Sequence, residues 1–464
     1  MAWRKAEAPM RDWKHDLGLR AMKILNVALV TGCFAAVWYL YYARTMAVQY
    51  YARGDYAVIA VFAIAYILLA RTYDAFQISY YPLYEMVYSQ GLAVFIADGF
   101  MVLLMWLLSK HFPWLWPGII TLAAQLVLIT LWSWAARHWY FRVFMPQKSV
   151  VVYDVREGME KLIDEYGFNR KYKVTANIDV QTCLSDLSRL DGCKTVFLSG
   201  IHSHERNVIL KYCVDKGIRV MVIPRIGDVV MSGAKRMHMF YLPMLKVERQ
   251  SGTPEYLIIK RILDIVLSAL ALVIVSPFML ITAIAIKATD HGPVFYRQTR
   301  LTKDGKEFKI LKFRSMRVDA EKDGVARLST GDNDDRITPV GKIIRAIRMD
   351  EIPQLWNILV GEMSIVGPRP ERPEIAAQYE QELPEFRLRL QVKAGLTGYA
   401  QVYGKYNTTP YDKLMMDLMY IAHPTIPQDL AIMFATVKIL FMKESTEGIE
   451  KGQTTAGGTG DGKK

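Results

Sequence analysis

Four long, nearly uncharged apolar stretches, at residues 21–42, 56–76, 91–108 and 117–140, constrain this chain more than any other feature. Each is close to the ~20 residues that a helix needs to cross ~30 Å of hydrocarbon. Crowded into the first 145 positions, they indicate a segment solvated by lipid, as does the apolar fraction of 52% over the whole chain. An even number of crossings returns the chain to the side on which it began. Arg4, Lys5, Arg11, Lys14 and Arg20 precede the first stretch, and Arg137, Arg142 and Lys148 mark the end of the fourth. The intervening loops are poorer in positive charge, so both ends of the bundle are expected in the cytoplasm. Aromatic residues at the stretch ends, such as Trp38, Tyr39, Trp132 and Trp134, read as interfacial anchors.

The formal charge of +13 favours anionic partners. Positive-inside loops and anionic lipid account for it, and no nucleic acid partner is expected. Cys33, Cys183, Cys193 and Cys213 match no zinc or redox spacing, which points to a reduced, cytosol-facing body. The charged, mixed start of the chain and the length of its first apolar run argue against a cleaved signal peptide.

Between residues 148 and 250 the pattern changes to short β-branched runs at 150–153, 194–198 and 218–223, separated by helical stretches. Such alternation predicts a small parallel, Rossmann-like α/β domain. The turn after its first strand, Tyr153 to Gly158, lacks the first two glycines that let backbone approach a pyrophosphate. A structural or regulatory role is therefore expected there, without a bound dinucleotide. Residues 262–286 form another apolar run, interrupted by Ser276 and Pro277. A proline there favours a kink, so the helix either crosses or enters and leaves on one face. Residues 287–444 have soluble composition, and residues 445–464 are expected to be a disordered tail.

Asp350 and Glu351 stand out among the acidic pairs by their setting. Arg345 and Arg348 precede them, Pro353 and the run Gln354 to Asn357 follow, and then comes the segment Gly367-Pro368-Arg369-Pro370. On a helix, consecutive side chains project about 100° apart, so one carboxylate could face a reacting phosphorus while its neighbour holds a metal. Phosphoryl transfer asks chiefly for such positioning and charge neutralisation. Arg297, Lys312, Arg314, Arg345 and Arg369 each lie beside a glycine, proline or aromatic, and guanidinium forks suit phosphate.

An ordered series of motifs carries a resemblance. Lys260-Arg261 with Asp264 comes first, followed by Ser276-Pro277, Gly292-Pro293-Val294-Phe295 and Lys312-Phe313-Arg314-Ser315-Met316. Then come Asp350-Glu351-Ile352-Pro353-Gln354-Leu355-Trp356-Asn357, Gly367-Pro368-Arg369-Pro370 and Gly395-Leu396-Thr397-Gly398-Tyr399-Ala400-Gln401-Val402. From residue 260 to about 441 the chain resembles the bacterial sugar transferases of the monotopic phosphoglycosyl transferase superfamily, which prime exopolysaccharide, capsule and O-antigen assembly. With its upstream spans and α/β domain it looks like the long-form, polyprenyl-phosphate hexose-1-phosphate transferases.

The resemblance implies that Asp350 attacks the β-phosphorus of a UDP-sugar and expels UMP, and that polyprenyl (undecaprenyl) phosphate then collects the phosphosugar. Glu351 matches the acid that holds Mg²⁺. Pro368, Arg369 and Pro370 match the uridine-nucleotide segment, while Lys312, Arg314 and Arg345 would support phosphates or the Asp-Glu turn. Lys393-Ala394 departs from the Arg-Pro found in many members. Because UDP-sugars are cytoplasmic, the resemblance makes residues 262–286 a re-entrant helix, broken at Ser276 and Pro277. The expected architecture is an α-helical membrane bundle of four spans (1–147), a small Rossmann-like α/β domain (148–250) and a mainly α catalytic domain with a re-entrant membrane helix (251–444). It would be a multi-pass homodimer in the bacterial cytoplasmic (inner) membrane, with its catalytic domain on the cytoplasmic face. The sugar stays open among glucose, galactose and N-acetylated sugars. A transferase moving the sugar alone would release UDP instead.

Overall fold

Span-length helices account for most of the N-terminal part of the computed structural model, which describes residues 13–45, 52–109, 111–250, 252–317, 336–404 and 408–440. The expected tail at 445–464 lies outside the described residues, as do Arg4, Lys5 and Arg11. The chain divides into two compact units, Met1–Ile223 and Pro224–Lys464.

In the first unit, α1 (Trp13–Val37) passes through a π-helical turn, Trp38–Tyr42, into the short α2 (Ala43–Thr45). It is followed by α3 (Ala52–Thr72), α4 (Leu83–Leu108) and α5 (Leu115–Val143). Polar side chains hold these apolar helices together, as they must where lipid removes the hydrophobic driving force. Asn26 donates to Gln90, Tyr66 donates to Asn26, and the Trp38 indole donates to Asp55. A small parallel sheet follows, with β1 (Gln147–Tyr153), β2 (Tyr172–Asp179), β3 (Thr195–Ser199) and β4 (Arg219–Val222) in the order β2-β1-β3-β4. Helices α6 (Met159–Glu165), α7 (Val180–Ser185) and α8 (Ser203–Asp215) alternate with the strands. Strand periodicity puts Val150, Val152, Val196 and Leu198 in one core and Val151 and Phe197 in another.

The second unit begins with α9 (Ile226–Ser232) and the hairpin β5 (Lys235–Met239) and β6 (Leu242–Lys246). Next comes α10 (Pro254–Asp290), started by Pro254 at its first turn and by the Thr253 hydroxyl accepting from the Tyr256 N–H. Its 37 residues make a helix about 55 Å long at ~1.5 Å per residue, well beyond one bilayer core. Pro277 sits inside it without interrupting it. Ser276 Oγ donates to the Val273 carbonyl at 2.8 Å, the acceptor that Pro277 leaves without its N–H partner. With α10, five helices among the described residues are long and apolar enough to cross a membrane.

The inner face of α10 is fastened to the elements that follow it in the chain. Those elements are β7 (Phe295–Leu301) paired with β8 (Glu307–Phe313), then α11 (Pro339–Ala346), α12 (Gln354–Val360) and β9 (Ser364–Val366), followed by α13 (Pro373–Glu382), β10 (Gly395–Thr397), α14 (Tyr399–Tyr403), α15 (Pro410–Ala422) and α16 (Ile426–Leu440). Lys260 Nζ binds Asp429 Oδ2 of α16 at 2.8 Å. Arg261 donates to the Ile358 and Leu359 carbonyls at 2.6 and 2.7 Å, capping the C-terminus of α12. Asp264 accepts the Ile365 N–H of β9 at 3.0 Å. Two apolar cores flank this helix: Phe308, Ile310, Leu355 and Ile358 pack with Ala271 and Leu272, and Phe313 and Ile344 pack with Ile286, Met279 and Met349. On the outer face Ile262, Val266, Leu270, Val273, Phe278 and Ile281 stay exposed as an apolar stripe.

Candidate active site

Asp350 and Glu351 lie on a single 3-10 turn, Met349–Glu351, between α11 and α12. The sequence expectation was a helix with side chains about 100° apart; the tighter turn separates them by about 120°. Arg348, at φ 57°, lies two residues past α11 and turns the chain sharply into this position. The two carboxylates have opposite electrostatics. Glu351 is half-buried, and its Oε1 accepts from Lys312 Nζ at 2.7 Å and from Arg369 Nη2 at 3.2 Å. Burial opposes its ionisation, but Lys312, Arg369 and Arg348 outweigh burial and hold the carboxyl well below the usual range. Asp350 is pushed up by burial and by the Glu351 charge, and Lys312, Arg345 and Arg348 only partly offset this.

The strand β8 delivers Lys312, and Asn357 locks that strand to α12. Asn357 Oδ1 accepts from the Leu311 N–H at 2.9 Å, and its Nδ2 donates to the Lys309 carbonyl at 2.9 Å and to Glu362 at 2.6 Å. Arg369 comes from a different quarter. Its segment is gripped by its backbone: the Arg369 carbonyl accepts from Arg389 at 3.0 Å, the Pro370 carbonyl from Arg300 at 3.1 Å, and the Glu371 carbonyl from the Leu301 N–H at 3.0 Å. Arg389 is held in turn by Asp417 at 2.8 Å and Glu371 at 3.4 Å. Pro368 and Pro370 are buried while Arg369 between them is exposed.

The Gly-Pro-Arg-Pro and Gly-Leu-Thr-Gly motifs prove to be two halves of one feature. Strands β9 and β10 run parallel, the Gly367 N–H donates to the Thr397 carbonyl at 2.8 Å, and the Gly395 N–H donates to the Pro368 carbonyl at 2.9 Å. A Cβ at Gly395 would sit 2.1 Å from the Gly367 nitrogen, so close approach of backbones demands glycine here. At Lys393-Ala394, Ala394 donates its N–H to Thr302 Oγ1 at 3.2 Å, a bond that a proline at this position could not make. The Lys393 ammonium and the Arg261 guanidinium both lie beside Gly361, at the end of α12.

Of the residues singled out from sequence, the structure thus brings together Asp350, Glu351, Lys312 and Arg369. Arg345 on α11 is within electrostatic range of Asp350. Arg314 is buried at 6% exposure just past β8, its N–H bonded to the Val294 carbonyl at 3.0 Å. Ser276 and Pro277 lie apart on α10. Asn357, Arg389 and Asp417 were not foreseen as site residues. The signal available was a polar side chain at a core position of an amphipathic run, as Asn357 is beside Leu355 and Ile358. Among the described residues no three His, Cys, Asp or Glu side chains converge to cage a metal. Two adjacent carboxylates do fit a magnesium ion that keeps water and substrate phosphate as its other ligands.

A family model described as bacterial sugar transferase matches residues 255–443. The UDP-N-acetylgalactosamine-undecaprenyl-phosphate N-acetylgalactosaminephosphotransferase of Aeromonas hydrophila is 36% identical over 238 residues, 50% of this chain and 54% of that protein. The UDP-glucose:undecaprenyl-phosphate glucose-1-phosphate transferase of Klebsiella pneumoniae is 42% identical over 194 residues, 41% of each chain. The chain thus spans about half the length, or less, of these two relatives. The exopolysaccharide production protein PSS of Rhizobium leguminosarum bv. phaseoli is 41% identical over 190 residues, which are 39% of this chain but 94% of that protein. A relative made almost wholly of the matching segment, together with the family model over 255–443, leads to one conclusion: the chain belongs to the bacterial sugar transferase family.

Proposed function

We propose that this protein transfers a sugar-1-phosphate, with hexose-1-phosphate favoured, from a UDP-sugar to polyprenyl (undecaprenyl) phosphate, as the priming step of exopolysaccharide, capsule or O-antigen synthesis. The observation that carries the reading is the grip of Lys312 and Arg369 on Glu351 beside Asp350, a concentration of opposite charge suited to a diphosphate. In this reading an Asp350 oxygen bonds to the β-phosphorus, and the bond from that phosphorus to the bridging oxygen breaks, releasing UMP. A phosphate oxygen of the polyprenyl carrier then displaces the aspartate, regenerating the carboxylate and yielding the polyprenyl-diphosphate sugar. Lys312 and Arg369 stabilise phosphate charge. Pro368, Arg369 and Pro370 would hold the uridine nucleotide, with Arg314 and Arg345 steadying the turn. Glu351, with Asp350 beside it, would hold Mg²⁺ against the diphosphate. When bound, that ion offsets negative charge on the phosphates.

The same reading places the protein as a homodimer in the bacterial cytoplasmic membrane, with four spans, a Rossmann-like α/β domain over 148–250 and a catalytic domain over 251–444 on the cytoplasmic face, anchored by a re-entrant α10. Purified protein is to be incubated with polyprenyl phosphate and a panel of UDP-sugars. One sugar should give UMP and a lipid-linked phosphosugar; release of UDP would mean that the sugar alone is moved.

A further inference from the structure

All four strands of the parallel sheet begin on the same side, and cations cluster at their starts. Lys148 of β1 is in register with Lys173 of β2. The Lys194 N–H, just ahead of β3, donates to the Lys148 carbonyl at 2.9 Å, and the N–H of Arg219, which opens β4, donates to the Lys194 carbonyl at 3.1 Å. These four side chains and that of Arg170 are exposed. Asp191, an acid ahead of β3, accepts the Tyr212 hydroxyl at 2.6 Å.

This edge is also the one seated on the helix bundle. Strand β1 follows directly from α5. Lys171 donates to Ser79 Oγ at 2.9 Å, and its ammonium lies 3.0 Å from the centroid of the Tyr80 ring. The hydroxyls of Tyr80 and Tyr172 are 3.5 Å apart. Ser79 and Tyr80 belong to the connection between α3 and α4, so the contact marks the end of span-length helices. In a bilayer that end lies at headgroup depth, level with the row of cations. Burial lowers the proton affinity of Lys171, Tyr80 partly offsets this, and the Arg219 charge lowers it further, so Arg219 is within electrostatic reach of this contact. Spaced by ~4.8 Å per strand, the row is a flat band about 14 Å wide, a match for an array of surface phosphates rather than for one small ligand.

We propose that the N-terminal edge of the parallel sheet is a docking surface for anionic phospholipid headgroups, holding the α/β part of the first unit against the bilayer. Each cation adds to the attraction of an anionic leaflet, and added salt weakens it within a Debye length. The proposal stands apart from the transferase reading.

The test is electron spin resonance on the full chain in phosphatidylcholine nanodiscs carrying spin-labelled phosphatidylglycerol or spin-labelled phosphatidylcholine. The immobilised fraction of label should show a preference for phosphatidylglycerol that fades with salt. Lys148→Gln/Lys173→Gln should lower it at least twofold, and Lys148→Arg/Lys173→Arg should keep it. Arg156→Gln/Lys161→Gln, exposed cations beyond the other end of β1, should also leave it unchanged. All these side chains are exposed, and matching thermal unfolding confirms that the variants fold. The proposal is overturned if the first pair leaves the preference intact, or if the Arg156/Lys161 pair lowers it equally. Loss of the preference in millimolar inorganic phosphate at constant ionic strength would overturn it too, by showing a site for a free anion.

Discussion

At the scale of single residues, the neighbours Asp350 and Glu351 divide an electrostatic task. Glu351 stays ionised because two cations hold it, whereas Asp350 is destabilised as an anion by burial and by Glu351 itself. A raised pKa means protonation at a higher pH than for a free aspartate, and only the ionised form is nucleophilic. The acid limb of kcat/KM should therefore fall above pH ~3.9, the value of an unperturbed aspartate; a limb at or below that value would contradict the arrangement. Asp350→Asn should abolish UMP release while leaving the fold intact, and Glu351→Gln should be severely impaired with weakened Mg²⁺ dependence. Residual turnover of the Asp350→Asn protein above a tenth of wild type, a barrier change under ~1.4 kcal/mol, would rule out the covalent step. Asn357→Ala strips partners from the Leu311 N–H and the Lys309 carbonyl. It should cost about 1–3 kcal/mol, read as a lower unfolding temperature in detergent, and should lower activity through the position of Lys312. The dyad, Lys312 and Arg369 were legible in the sequence because their motifs are local strings. Asn357 was legible as a motif member only, since its bonds reach back 46 and 48 positions to β8.

At the scale of elements, span-length helices were readable because a bilayer imposes a length and a composition. Strands β9 and β10 were not, because three residues each carry no periodicity, and only the close approach of Gly367 and Gly395 reveals them as a pair. The hairpin β5–β6 lacks a buried face to print an alternating pattern, since nearly all of its residues are exposed. For α10 the sequence left two paths open. The bond from Ser276 to Val273 lets the helix carry Pro277, and the re-entrant path makes a sharp forecast. Single cysteines at Glu255 and His291, in a background without Cys33, Cys183, Cys193 and Cys213, should both resist a membrane-impermeant thiol reagent in intact cells. Labelling of position 291 alone would show that the helix crosses.

Over the whole molecule, the α/β part of the first unit closes the crevice that a dinucleotide would need. Ser199 Oγ donates to the Arg156 carbonyl at 2.8 Å, and a Cβ at Gly200 would lie 2.6 Å from the Arg156 nitrogen. The turn after β1 is thereby fastened to the loop after β3. Calorimetry on the full chain should detect no saturable NAD binding, and a micromolar site there would refute this. A different consequence follows from the Lys260, Arg261 and Asp264 turn of α10. Those three side chains fasten α16, the end of α12 and the start of β9, through bonds that span 97 to 169 positions of the chain. The ribosome delivers α10 before any of them. The apolar helix is thus made first, and the turn that carries Asp350 and Glu351 reaches its final setting only on a helix already in place.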